Sequence, residues 1–145
     1  MKEILKERIQ EYQFKSAGKM AEHLSAPSSV FDLIKDGFDP IQEHLWVLIL
    51  DSQNNLITKK MVGSGYGSGL AIDKAILYRK ILSTTGNRVI LAHNHPSHNL
   101  KPSKEDLDFT QKVKEGCDIL GLELLDHLIF DGEKYFSMRK EGIIE

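Results

Sequence analysis

One cysteine, one tryptophan and four prolines are all that the 145 residues hold of these types. With Cys117 alone, no internal disulfide can form, which fits a reducing compartment and sets the expectation of a cytoplasmic protein. No run of ~18 apolar residues exists, so no membrane-spanning helix, and no membrane partner, is expected. The first residues, MKEILKERIQEYQ, alternate charge with Ile and Leu. They lack the apolar stretch and small-residue cleavage site of a signal peptide. A basic excess is lacking too: 19 Lys and Arg stand against 21 Asp and Glu, for a net charge of -2 and a pI near 6.3. A dedicated nucleic-acid binder usually carries a basic excess or stripe. Here the basic residues are scattered among acidic ones, so charge does not support nucleic acid as a partner. There is no internal repeat and no low-complexity linker.

What is present is ordinary globular material, 41% hydrophobic and 28% charged, enough for one domain with a core. Residues 2–24 read as an amphipathic helix, with Ile4, Leu5, Ile9, Tyr12, Met20 and Leu24 on helical spacing. SAPSS at 25–29 breaks it, a short helix is predicted over 29–38, and Asp39-Pro40 ends that segment. HLWVLILD at 44–51 is continuously apolar, as in a strand buried on both faces. SQNN reads as a turn and LITKKMV at 56–62 as a partner strand. A Gly-rich stretch follows at 63–69, then a helix over 70–83 and a short buried strand, RVILA, at 88–92. After a loop at 93–102 a helix starts at Ser103, with an apolar stripe of Phe109, Val113, Cys117 and Leu120. LELLDHLIF at 122–130 is a strand, Asp131-Gly132 a turn, and KYFSM at 134–138 a last strand. Strands mixed with helices imply an α/β fold, a sheet covered by helices.

His93 and His95 follow the strand RVILA directly. Side chains two apart on extended backbone face the same way, so both imidazoles can converge on one point. Asp106 lies in the first turn of the next helix. Two imidazoles and a carboxylate make three protein ligands, and catalytic zinc uses three while structural zinc is closed by four. The fragments also have plainer readings. Two His beside Pro96 suit a solvated loop, and Ser103 with Asp106 suits a helix capping box with Asp in place of Glu. A helix N-terminus can serve both ends at once.

The joint spacing is more specific. HNHPSHNLKPSKED is His-x-His, seven residues, Ser, two residues, Asp, which resembles the metal signature of the JAB/JAMM (MPN) family. HNHPS, the following PS, Asp106, Thr110 and LLDH at 124–127 resemble its RadC-like branch in particular, over about residues 41–138. The resemblance implies a mixed β-sheet flanked by α-helices, of JAB/MPN, cytidine-deaminase-like architecture. It implies a helical segment at 1–40 and a catalytic domain at 41–145. It also implies one zinc ion per chain on His93, His95 and Asp106, with Glu43 as general base and Ser103 binding the metal water and the oxyanion. The implied activity is zinc-dependent hydrolysis of a peptide or isopeptide bond in a protein or peptide substrate, ubiquitin-like proteins included. The rivals are a DNA-repair role, which the RadC name suggests, and an inactive scaffold, against which all five positions stand intact.

The chain departs from the pattern at His98, where glycine is usual. It departs again at AIDKAI, which lacks the usual Pro-Arg pair. Residues 1–40 are also too few for the helix-hairpin-helix region of full-length relatives. Other signals carry less. GSGYGSG fits no phosphate-loop pattern. The letters of an HNH nuclease name dispersed positions, not a tripeptide. A zinc deaminase needs a PCxxC, and no HExxH is present. Asp126 and His127 are strand neighbours that face opposite ways, so at most one looks at the site. Cys117 belongs to the core.

Overall fold

The computed structural model describes residues 22–65 and 72–145. Most of the helix expected at 2–24 lies outside the described residues, as does the Gly-rich stretch from 66 to 69. At 22–24 the chain is extended rather than helical: His23 bridges Asn55, and Leu24 N donates to the Asn54 carbonyl at 2.9 Å. Pairing with the turn before the second strand overrides the helical periodicity there.

Helix α1 spans Pro27–Ile34 and continues into a 3-10 turn, Lys35–Gly37. It starts two residues earlier than its composition suggests. Pro27 stands at the first helical position, where its fixed φ helps and its missing N–H is not needed. The breaker seen in SAPSS is therefore the helix start. Strand β1 (Glu43–Leu50) follows, then β2 (Leu56–Gly65), α2 (Lys74–Leu82), β3 (Arg88–Asn94), α3 (Lys104–Leu120), β4 (Glu123–Phe130) and β5 (Tyr135–Ser137). Asp73 caps α2 by accepting from Ala75 N at 2.9 Å.

The sheet has the order β2-β1-β3-β4-β5. β1 runs antiparallel to both β2 and β3, β3 and β4 are parallel, and β5 is antiparallel to β4. The fold is thus α/β with a mixed sheet between helices. The parallel pair is joined by α3, because parallel neighbours need a crossover. β1 and β3 are central, and Leu45, Val47, Leu48, Ile49 and Leu50 are fully buried. Period-two alternation sorts their side chains onto two faces. Leu45, Val47, Ile49, Val89 and Leu91 pack with Leu77 and Ile81 of α2 and Val113 and Cys117 of α3. Leu48, Leu50, Ile90 and Ala92 pack with Val30 and Ile34 of α1 on the other side. Burial pushes the Cys117 thiol up to about 11, consistent with its place in the core.

The buried stripe of α3 is Asp106, Thr110, Val113 and Cys117. Leu120, read as its last apolar member, is 43% exposed. Gly121, at φ 74, turns the chain so that Leu122 N donates to the Cys117 carbonyl at 2.8 Å, and Leu122 takes the core position instead. No described helix is long and apolar enough to cross a membrane.

The turn into β3 is tightly packed at Gly86. A Cβ there would lie 2.2 Å from Ile49 Cγ2 and 3.0 Å from the Leu50 carbonyl. Gly86→Ala should therefore destabilise the domain by about 1–3 kcal/mol through overpacking. A urea unfolding midpoint equal to wild type would show that the turn has room to give.

Candidate metal centre

The carboxyl end of β3 is where the topology brings its polar side chains together. In a sheet with a parallel pair this is the usual place for a ligand, because the strand ends and the following helix begins at one edge. His93 is near the end of β3 and fully buried. His95 lies just beyond, its N–H held by the Phe130 carbonyl at 3.0 Å. Asp106 is in the first turn of α3, and Glu43 is the first residue of β1.

The contacts are close. His93 Nε2 and His95 Nε2 are 2.8 Å apart. Asp106 Oδ1 is 3.3 Å from His93 Nε2, and its Oδ2 is 3.2 Å from His95 Nε2. Glu43 Oε1 stands back at 3.9 Å from His95 Nε2.

Hydrogen-bond polarity decides what the two imidazoles offer. Thr110 Oγ1 is 2.7 Å from the Asp106 carbonyl, which can only accept, so the threonine hydroxyl donates there. The same oxygen, 2.6 Å from His127 Nδ1, must then accept from that nitrogen. His127 Nε2 is left as an acceptor. At 2.7 Å it takes the Nδ1 proton of His93. His93 Nε2 thereby carries a lone pair toward the site. The same logic runs in one step at His95, whose Nδ1 donates to the Asn99 carbonyl at 2.6 Å. Two imidazole lone pairs and a carboxylate converge with no proton of their own between them.

Such a group of acceptors calls for a cation. Among the described residues, His93, His95 and Asp106 are the group that could hold a metal ion. One ligand atom from each of the three lies within 4.8 Å of the others, so the group is compact enough for a single ion to meet two imidazole nitrogens and a carboxylate oxygen. Imidazoles fixed through their far nitrogens by a carbonyl or a polar relay are the usual support of metal ligands.

Electrostatics agree. Burial pulls His95 down, but the Asp106 carboxylate, the Asn99 carbonyl and the charge of Glu43 outweigh it, and His95 sits above the ordinary histidine value. Burial also acts to raise Asp106, yet its contacts with His93, His95 and the Ser103 N–H hold it well below the carboxylate range. At His93 burial prevails over Asp106 and holds the imidazole below its ordinary value. His127 lies well below, chiefly through complete burial, as its neutral role in the relay requires. Burial raises Glu43, the charge of Asp106 adds to this, and His95 opposes it.

Ser103 and Asp106 form the capping box: Asp106 N donates to Ser103 Oγ at 3.0 Å, and Ser103 N to Asp106 Oδ2 at 2.9 Å. The capping and ligand readings of the pair coexist in one geometry. His127 faces the site and Asp126 faces away, accepting from Ser137 Oγ at 2.6 Å and Arg139 N at 3.0 Å. Asn94, between the two histidines, went unmarked by sequence reasoning because its partners are backbone atoms far along the chain.

Over residues 24–143 the sequence matches the family described as RadC-like JAB domain. The chain belongs to the RadC-like JAB family. It is similar to a UPF0758 protein of Aquifex aeolicus (strain VF5), 41% identical over 128 residues, covering 88% of this chain and 55% of the relative. A UPF0758 protein of Staphylococcus haemolyticus (strain JCSC1435) is 33% identical over 123 residues, 84% of this chain and 54% of its own. One from Methanococcoides burtonii is 38% identical over 103 residues, 71% and 45%. The chain thus spans about half the length of these relatives. Against the RadC-like pattern, His98 occupies a position at φ 64, which glycine adopts freely and other residues seldom do. Its ring turns to Asp131 Oδ2, at 3.1 Å, and to Phe38, outside the group of possible ligands. The loop accommodates the bulkier residue.

The relay makes Thr110 testable. Thr110→Val keeps the shape but strands the His127 Nδ1 proton and frees the other tautomer, which would turn a proton on His93 toward the metal position. Affinity for zinc should fall about 10–100-fold, read by chelator competition; unchanged affinity would show that the relay does not set the tautomer. The acid limit follows from His95. A proton and a metal compete for its Nε2, and its raised pKa moves that competition above the ordinary histidine range, while Asp106 does not compete. Zinc affinity should be level at alkaline pH and weaken about tenfold per pH unit below the His95 value. A profile that stays flat to about pH 5 would exclude His95 from the ligand set.

Proposed function

We propose that this domain is a zinc-dependent hydrolase that cleaves a peptide or isopeptide bond. The observation that carries the reading is the pairing of three convergent lone-pair donors with one carboxylate, Glu43, that stands beside them and outside their contact distance. Three ligands leave a position open for chemistry, whereas a structural site would be closed by a fourth. A zinc ion held by His93, His95 and Asp106 would supply Lewis acidity, polarising a carbonyl and acidifying water toward neutral pH.

The chain's own residues do the rest. Glu43 takes a proton from the attacking water as its oxygen bonds to the scissile carbonyl carbon. It then returns that proton to the amine as the C–N bond breaks. Burial helps by raising the Glu43 carboxyl toward the range in which a general base both accepts and releases a proton. The Ser103 oxygen already accepts from Asp106 N, and among the described residues its O–H has no partner. That O–H is free to donate to the oxyanion that develops on the carbonyl. Asp106 and Ser103, fixed to each other by the cap, hold this donor rigidly.

The substrate in this reading is a protein or peptide, with ubiquitin-like modifiers as the class the resemblance implies. A role on DNA draws no support from a net charge of -2, and the placing of Glu43 Oε1 at 3.9 Å from His95 Nε2 favours an active centre over an inert scaffold.

Glu43→Gln tests the proposal most sharply. It preserves size and hydrogen bonding while removing the proton acceptor. The variant should fold, bind zinc as wild type does, and lose cleavage of a panel of ubiquitin-like fusions by at least ~10²-fold. Release of zinc would make Glu43 a fourth ligand of a closed site. Undiminished cleavage would show that another group is the base.

A further inference from the structure

The last ladder pair between β1 and β3 on the site side is Leu45 with His93. Glu43 lies two residues beyond it, where, among the described residues, β1 has backbone pairing only with β2, through Gly65. A general base at a half-paired strand end would sample several positions. Something must replace the missing ladder.

That replacement is the Asn94 side chain. Asn94 is fully buried and points to the sheet face opposite His93 and His95. Its Oδ1 accepts from His44 N at 2.7 Å, and its Nδ2 donates to the Gln42 carbonyl at 3.0 Å and the Asp39 carbonyl at 2.9 Å. Gln42 and His44 flank Glu43. One amide thus accepts and donates across β1 as a neighbouring peptide unit would, and it uses both of its donors. The segment is tied from its other side as well. The His44 ring lies between Asp39 Oδ2, at 2.9 Å, and Ser64 Oγ, at 2.7 Å, and Asp39 Oδ1 accepts from Ile41 N and Gln42 N.

We propose that Asn94 is the positioning residue for Glu43, its side-chain amide extending the β1–β3 ladder so that the carboxylate is held beside the metal position. The inference rests on the hydrolytic reading above. It assigns the residue between the two histidines a task separate from theirs. They would hold the metal from one face, and Asn94 fixes the base from the other.

The test uses Asn94→Ala, and Asn94→Asp, which keeps the shape and one acceptor but offers no donor to Asp39 and Gln42. Both should retain zinc, since no ligand is touched. Both should lose kcat at least ~tenfold with KM within about twofold, the mark of misplaced chemistry rather than lost binding. In a Glu43→Gln background, Asn94→Ala should add nothing, because its effect passes through Glu43. Full kcat in a zinc-loaded variant, or losses that multiply in the double variant, would overturn the proposal. Hydrogen exchange gives a readout independent of activity: the His44 amide should exchange at least ~tenfold faster in Asn94→Ala while zinc content holds. If neither variant folds, wild type decides. A His44 amide protected like those of Leu45–Leu50 supports the ladder extension, and one exchanging as freely as a loop amide refutes it. If wild type cleaves nothing, the hydrolytic reading fails, and the exchange result alone decides whether Asn94 holds this segment.

Discussion

The direction of a few hydrogen bonds, anchored on the backbone carbonyls of Asp106 and Asn99, governs what this domain can bind. A carbonyl cannot donate. That fact sets Thr110, then His127, then His93 on one side, and His95 directly on the other. Without it the two imidazoles could share a proton at 2.8 Å and form a neutral, satisfied pair. With it both lone pairs meet beside a carboxylate, an arrangement that has no neutral resting form. The site is polar and buried, and burying acceptors without a partner is unfavourable. A cation, whether a proton that His95 holds more tightly than an ordinary histidine or a metal, resolves the conflict.

Strand alternation divides the labour around this point. His93 and His95 lie on the sheet face that carries α2 and α3, and Asn94 between them lies on the opposite face, against the 39–44 segment. Glu43 and His127 share the side of the histidines, while His44 and Asp126 lie opposite. On one face the polar groups converge and leave valences open. On the other they satisfy one another: Asn94 with the 39–44 backbone, Asp126 with Ser137 and Arg139. A one-residue slip of β3 would exchange the two sets. The long apolar runs of β1 and β3, buried on both faces, make such a slip costly, so the register of the core protects the geometry of the site.

Much of this is legible in the sequence, for identifiable reasons. The continuous apolar runs at 44–51 and 88–92 mark central strands because only a strand covered on both faces is apolar throughout. His93, His95, Ser103 and Asp106 are legible together through their spacing, which one strand end and one helix start impose. The opposed roles of Asp126 and His127 follow from alternation alone. Other features depend on contacts that no local pattern records. His23 pairs with Asn55 and so is extended, against a helical periodicity that continues through it. Leu120 fits the stripe of α3, yet the turn at Gly121 gives its place to Leu122. The acceptor role of His127 requires Thr110, 17 residues away, and Asn94 acts on backbone atoms 50 to 55 residues away. Side-chain pattern is blind to bonds made with main chain.

Asp106 concentrates the compromise between fold and chemistry. Its Oδ2 caps α3 through Ser103 N while lying 3.2 Å from His95, its Oδ1 faces His93, and its carbonyl receives Thr110. A carboxylate held this deep would ordinarily be unfavourable. The first turn of a helix offsets that through its oriented N–H groups and positive dipole end. The usual glutamate of a capping box has the reach to cap, but its longer chain would carry the carboxylate past the position from which one oxygen meets each histidine. The shorter aspartate keeps the charge at the helix start and between the imidazoles at once. The cap therefore makes a buried negative charge tolerable before any metal arrives, and the same charge makes the site selective for a cation when one does.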